Sequence, residues 1–130
     1  MLNKLKYKKF GEYKVYYKMK KIIMLELFDL IRQNVEIENK GKGEVEFKLN
    51  NVNKILEYEI NNITNINKKT NYKYSFDELI KLNDLNINNC IVILEQLLKN
   101  GLEEYKNIVL KDIEEKYKIQ QDIENIAKSI

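Results

Sequence analysis

The spacing of apolar residues changes period along this chain, and that change restricts the fold more than any other feature. From Tyr13 the apolar side chains alternate, with Tyr13, Val15, Tyr17 and Met19 on one side and Lys14, Tyr16 and Lys18 on the other. Such a period of two describes a strand with one solvated face. Across Lys20 to Gln33 the repeat becomes three and four, through Ile23, Leu27, Leu30 and Ile31, which describes an amphipathic helix. A single helix from Glu12 to Gln33 is the competing local reading. Alternation then returns in Val35 to Glu38, Glu44 to Leu49 and Leu56 to Ile60. The links between these segments, Asn39 to Gly43 and Asn50 to Ile55, are of hairpin length, so the pattern predicts a three-stranded antiparallel meander.

Helical spacing resumes further on. Ser75-Phe-Asp-Glu78 is a capping box opening a short helix to Asn83. Residues 85 to 88 turn, and a second helix runs from about Asn88 to Asn100, closed by Gly101. From Glu104 a long helix extends to Lys128, with Tyr105, Val109, Ile113, Tyr117, Gln120, Ile123 and Ile126 spaced at three or four. That stripe either packs on the helix pair or forms a coiled-coil seam, and internal packing is the commoner outcome for about three heptads. The expected class is α+β: a small antiparallel sheet with one helix in residues 1–62, a polar connector over 63–74, and a helical half over 75–130. At 130 residues the chain fits one domain or two closely packed halves. No apolar run approaches the roughly 20 residues of a membrane span, and no secretory apolar region follows Met1, so the expected compartment is the cytoplasm.

The residue inventory removes most catalytic chemistry. The chain has no His and a single Cys, Cys90, which excludes within one chain a His-assisted nucleophile, a structural disulfide and the common zinc sites. Its four glycines, Gly11, Gly41, Gly43 and Gly101, are too scattered for a phosphate-cradling loop. A carboxylate-only hydrolase would need Mg²⁺ or a close acid pair in a pocket, and nothing in the sequence locates one. No metal and no cofactor is expected, and the reading is a binding protein, not an enzyme. Cys90 falls on the apolar side of its helix, as a small buried hydrophobe. Lys, Asn and Ile supply 58 of 130 residues, as AT-rich codons would, which suggests a low-GC bacterium or one of its phages.

Charge is divided unevenly. Residues 1–21 carry eight lysines against Glu12, a net of +7, whereas the remainder holds fifteen basic and nineteen acidic groups, a net of −4. Tyr7, Phe10, Tyr13, Tyr16 and Tyr17 interleave with those lysines, the combination that single-strand nucleic-acid binders use for backbone attraction and base stacking. In the expected meander, Val35, Ile37, Val45, Phe47, Leu49, Leu56, Tyr58 and Ile60 share one face. Glu36, Glu38, Glu44, Glu46, Glu57 and Glu59 then occupy the other, with only Lys48 among them. A symmetric loop would set Glu38 opposite Glu44 and Glu36 opposite Glu46, and like charges so placed are destabilising. Six carboxylates on one face would suit a partner protein with a basic groove that otherwise holds a phosphate backbone. The plainer alternative is a solvated face filled with Glu.

The segment from Phe76 to Leu102, with Leu94, Leu97, Leu98, Gly101 and Leu102 in their order, resembles the second helix, turn and third helix of winged helix-turn-helix regulators. The resemblance covers about 28 residues. It implies a recognition helix that ends in Gly-Leu and leads to a wing, and base-facing positions at Asn86, Asn88, Asn89, Ile91 and Val92. Those positions lack the Arg, Lys, Gln or Ser that major-groove reading prefers. Residues 75–130 also carry seven basic and eleven acidic groups, against the needs of phosphate neutralisation. In size, composition and lack of catalytic residues the chain further resembles anti-CRISPR and other phage anti-defence proteins, at the level of class. The expectation is therefore a small inhibitor or adaptor of a nucleic-acid-handling protein, acting through an acidic face as a nucleic-acid mimic, as a monomer or homodimer. The alternative is a DNA-binding regulator using Asn86, Asn88 and Asn89, with Lys14 and Lys18 contacting phosphates.

Overall fold

A computed structural model describes residues 6–18, 20–41 and 44–129. The elements are β1 (Tyr7–Phe10), β2 (Tyr13–Tyr16), α1 (Lys21–Asn34), β3 (Val35–Gly41), β4 (Glu44–Leu49), α2 (Val52–Ile63), α3 (Ile66–Thr70), α4 (Phe76–Lys81) and α5 (Leu85–Lys128). Strands β1 and β2 form one antiparallel hairpin, and β3 and β4 form another. The class is α+β. The strand expected from Tyr13 is present but ends at Tyr16 and pairs with β1; Met19 and Gly43 of the sequence reading lie outside the described residues.

Residues 56–60 are the principal correction. They lie in α2 and not in a third strand. Leu56 and Ile60, four apart, satisfy either period, but Ile55 and Ile63 do not alternate with them. All four are buried, as one stripe at three- and four-residue spacing requires. The expected meander is therefore a two-stranded hairpin. Its base is closed where the Asn50 amide donates to the Asn34 carbonyl at 2.8 Å and Asn51 Nδ2 donates to Asn34 Oδ1 at 2.8 Å.

The second correction concerns the carboxy-terminal helices. Asp84 caps α5 by accepting from the amides of Asn86 and Ile87 at 2.9 and 3.1 Å, so the helix begins at Leu85 and residues 85–88 do not turn. It then continues through Gly101 to Lys128 as one 44-residue element, with no break where the resemblance implied a wing. A Cβ at Gly101 would lie 2.8 Å from Ile31 Cδ1: the glycine admits α1 against α5 and does not end the helix. The capping box of α4 is formed, Ser75 Oγ accepting from the Glu78 amide at 3.2 Å and Glu78 Oε1 from the Ser75 amide at 3.0 Å.

The buried cluster is largely helical and draws on both sides of residues 63–74. Leu27 and Ile31 of α1, Ile55, Leu56, Ile60 and Ile63 of α2, and Ile87, Cys90, Ile91, Leu94 and Leu98 of α5 form most of it. Among the described residues the strands contribute Tyr13 and Val15 to it, with Phe10, Val35 and Leu49 partly buried against it. Each fully buried Leu or Ile of this kind contributes about 1.5–3 kcal/mol by leaving water. Past Val109, α5 is exposed on every side.

Candidate functional site

The β1–β2 hairpin is built by its turn and by one asparagine. Phe10 pairs with Tyr13 across a two-residue loop whose first residue, Gly11, has φ of +59°, a conformation that favours glycine. The turn rests on the start of α5, where a Cβ at Gly11 would come within 2.4 Å of Asn86 Nδ2. The outer edge of β2 is covered by Asn65. Its side chain accepts from the Lys14 amide at 2.7 Å, its own amide donates to the Lys14 carbonyl at 3.3 Å, and Val15 bridges to Thr64. Edge groups that would otherwise be open to another strand are thereby satisfied.

The pairing sorts side chains onto two faces. Val15 and Tyr13 point inward and are buried. The outer face carries Tyr7 opposite Tyr16 and Lys9 opposite Lys14. The two tyrosine rings meet edge to face at 5.7 Å, and Lys14 Nζ lies 4.6 Å from the Tyr7 ring centroid. Lys18 follows, its amide donating to the Lys6 carbonyl at 3.4 Å. Among the described residues no carboxylate pairs with Lys9, Lys14 or Lys18. Two lysines directly opposite one another repel, a cost set against the contact of Lys14 with the Tyr7 ring.

The acidic residues are distributed differently from expectation. Glu36, Glu38, Glu44 and Glu46 are exposed on the β3–β4 hairpin, but the bulge after Asn39 shifts the register. Glu36 stands opposite Lys48, Glu38 opposite Glu46, and Glu44 opposite Gly41. The like pair is bridged by Lys40 Nζ, 3.3 Å from Glu38 and 3.0 Å from Glu46, and those contacts raise the lysine pKa, the hydrogen bonds to Glu46 and Glu38 first. The four carboxylates therefore share their hairpin with Lys40 and Lys48.

Glu57 and Glu59 are not on that face at all. Glu57 Oε1 accepts from the Phe76 amide at 2.8 Å and so caps α4 from a neighbouring helix. Glu59 shares the buried stripe of α2, is 0% exposed, and neither carboxyl oxygen has a hydrogen-bond partner among the described residues. Burial pushes its pKa up to about 8, which keeps the carboxyl neutral at pH 7. Alternation alone had concealed this position; the i, i+4 relation to Ile55 and Ile63 would have revealed it.

The asparagines of the alternative reading separate as well. Asn86 is exposed beside the Gly11 turn, Asn88 and Asn89 are half-buried, Ile91 is buried and Val92 is exposed. Lys14 and Asn86 are brought to the same end of the molecule, through the hairpin that links them. No described helix is long and apolar enough to cross a membrane. Comparison of the chain with protein-family models, with curated proteins and with solved structures finds no match.

Proposed function

We propose that this chain is a non-enzymatic binding protein and that it holds single-stranded nucleic acid on the outer face of β1–β2. The observation that carries the reading is Lys9 set directly opposite Lys14, beside the Tyr7–Tyr16 pair. Lysines at this spacing attract phosphates, and the ring of Tyr7, 46% exposed, offers bases a stacking surface. Lys14 and Lys18, assigned above to phosphate contacts, keep that role, whereas Asn88 and Asn89 are too enclosed to read a major groove. Duplex recognition by the helix-turn-helix-like segment is accordingly the weaker form of this reading.

The test is fluorescence anisotropy with labelled single-stranded and duplex oligonucleotides of mixed sequence. Single strands should bind more tightly, and Tyr7→Ala should weaken them by roughly 1–3 kcal/mol, the usual cost of a lost stacking contact. Equal loss on duplex and single strand would refute base stacking.

A second reading rests on Glu36, Glu38, Glu44 and Glu46, all exposed on one hairpin. In that form the protein is an inhibitor or adaptor of a nucleic-acid-handling protein, presenting its carboxylates to a basic groove in the manner of anti-CRISPR proteins. The internal Lys40 and Lys48 pairs reduce the attraction available. Reversing Glu36 and Glu44 to Lys should abolish such an interaction and leave nucleic-acid binding intact or stronger, which separates the two readings.

A further inference from the structure

The chain that leaves the β1–β2 hairpin borders a groove. Lys14 and Tyr16 belong to the hairpin, and Lys18 follows them, its amide donating to the Lys6 carbonyl at 3.4 Å. Lys18 and Tyr17 also line an open groove of about 390 Å³ between α1 and α5. Its floor is apolar: Leu27 and Ile31 are buried, Leu97 is half-buried, and Gly101 lets Ile31 approach. Met24 and Phe28, four apart on α1, line it from one helix, and Asn100 and Glu104, four apart on α5, line it from the other. Pockets for small organic groups run from roughly 300 to 1,000 Å³ and combine apolar walls with a few polar groups, as this one does.

Those polar groups select what can enter. Among the described residues Glu104 joins no ion pair. Asn100 Oδ1 accepts from Gln96 Nε2 at 3.0 Å, which leaves Asn100 Nδ2 as the donor of that amide. A carboxylate beside lysines that attract phosphate weakens nucleic-acid binding by repulsion, unless a base donates to it. Guanine alone among the bases carries two adjacent donors on its pairing edge, N1–H and the 2-amino group, with the acceptor O6 next to them. A carboxylate accepts from both donors, and an amide N–H meets O6. Adenine and cytosine would turn a ring-nitrogen lone pair toward the carboxylate, and thymine or uracil offers one donor flanked by two carbonyls.

We infer that the α1–α5 groove takes one guanine base of the bound strand, with Glu104 accepting from N1–H and the 2-amino group, Asn100 donating to O6, and Lys18 holding phosphate at the mouth. This rests on the single-strand reading above and deepens it, since a sequence-tolerant stacking face gains one selective position. Single-strand recognition commonly joins aromatic contact to hydrogen bonds on the pairing edge, and the Tyr17 and Phe28 rings supply the first where Asn100 and Glu104 supply the second. The apolar floor lowers the local dielectric and strengthens those bonds.

Fluorescence anisotropy on the full chain tests this, with labelled thymidine oligomers whose central residue is thymidine, guanosine, adenosine or inosine. Guanosine should tighten binding by about fivefold or more, the lower end of what a two-bond base contact discriminates. Adenosine should give no such gain, and inosine, which lacks the 2-amino group, should lose most of it. Glu104→Gln should abolish the guanosine preference while affinity for the all-thymidine strand stays the same or rises slightly, because the lost charge opposes phosphate. Glu104 is exposed, so the variant should keep the wild-type circular dichroism. Placement is read by NMR: the Met24 methyl resonance should shift more with the guanosine strand than with the thymidine strand. Equal affinity for all four strands, a guanosine preference that survives Glu104→Gln, or a Met24 methyl that does not distinguish the strands would each overturn the groove assignment and leave the single-strand reading standing. Failure to bind any single strand would remove both.

Discussion

Lys9 and Lys14 are direct cross-strand partners on the outer face of the β1–β2 hairpin, and among the described residues neither has a carboxylate to offset it. Their mutual repulsion costs the fold a few tenths to about 1 kcal/mol. Lys9→Thr, which also favours strand structure, should therefore raise stability in urea by that amount while reducing affinity for a single strand severalfold. Loss of stability with unchanged binding would mean that the pair is a structural feature.

Glu59 makes stability depend on pH in an unusual direction. Its folded pKa, about 8, lies above its ordinary value of 4.5, so the folded state holds a proton that the unfolded chain releases. Its contribution is fully present below about pH 4.5, declines as pH rises at no more than about 1.4 kcal/mol per unit, and is gone above pH 8. Glu59→Gln should remove this part of the slope and raise the melting temperature at pH 8 more than at pH 5. Equal shifts at both values would show that the carboxyl is ionised in the fold.

The crossing of α1 and α5 at Gly101 permits a double-mutant test. Ala would favour the helix by about 1 kcal/mol, but its Cβ would press on Ile31 Cδ1, 2.8 Å away in a fully buried position. Gly101→Ala should yield little or no gain. Ile31→Val, ordinarily a loss of about 0.5–1.5 kcal/mol, should cost less than half as much in the alanine background. Strict additivity would mean that the helices do not meet as described.

These residues also show how far the sequence could be read. Wherever a repeat was long enough to be unambiguous, as in α1 or around Ser75-Phe-Asp-Glu78, the element followed from the pattern. The largest failure arises in a short segment whose apolar residues fit two periods. Leu56, Tyr58 and Ile60 alternate, and the helix shows only when Ile55 and Ile63, both buried, are read with them at helical spacing, which takes Glu57 and Glu59 off the acidic face. Gly101 read as a helix stop because glycine is common there; the need for a close approach by Ile31 is a tertiary fact with no local signature. The register of β3–β4 turned on a bulge after Asn39, which no count of loop residues supplies. Lys9, by contrast, was visible only as one lysine among eight, and its pairing with Lys14 required a strand, β1, that carries no alternation.

Cys90 gives a check on the core itself. It is fully buried, and burial, with Asp84 nearby, pushes its thiol up to about 11. Only a thiolate reacts readily, so labelling of the native protein at pH 7.5 should be limited by opening of the fold and become rapid in denaturant. Fast native labelling would mean that α5 is not seated on α1 and α2.

Whether the β1–β2 face holds a nucleic-acid backbone is decided by the salt dependence of binding. For single strands the logarithm of the association constant falls with the logarithm of salt concentration by about 0.7 per phosphate neutralised. Exchanging Lys9 and Lys14 for Gln should therefore make the slope shallower by about 1.4 as well as weakening binding at every salt concentration. A slope identical to that of the wild type, in a variant that remains folded, would place the contact elsewhere on the molecule.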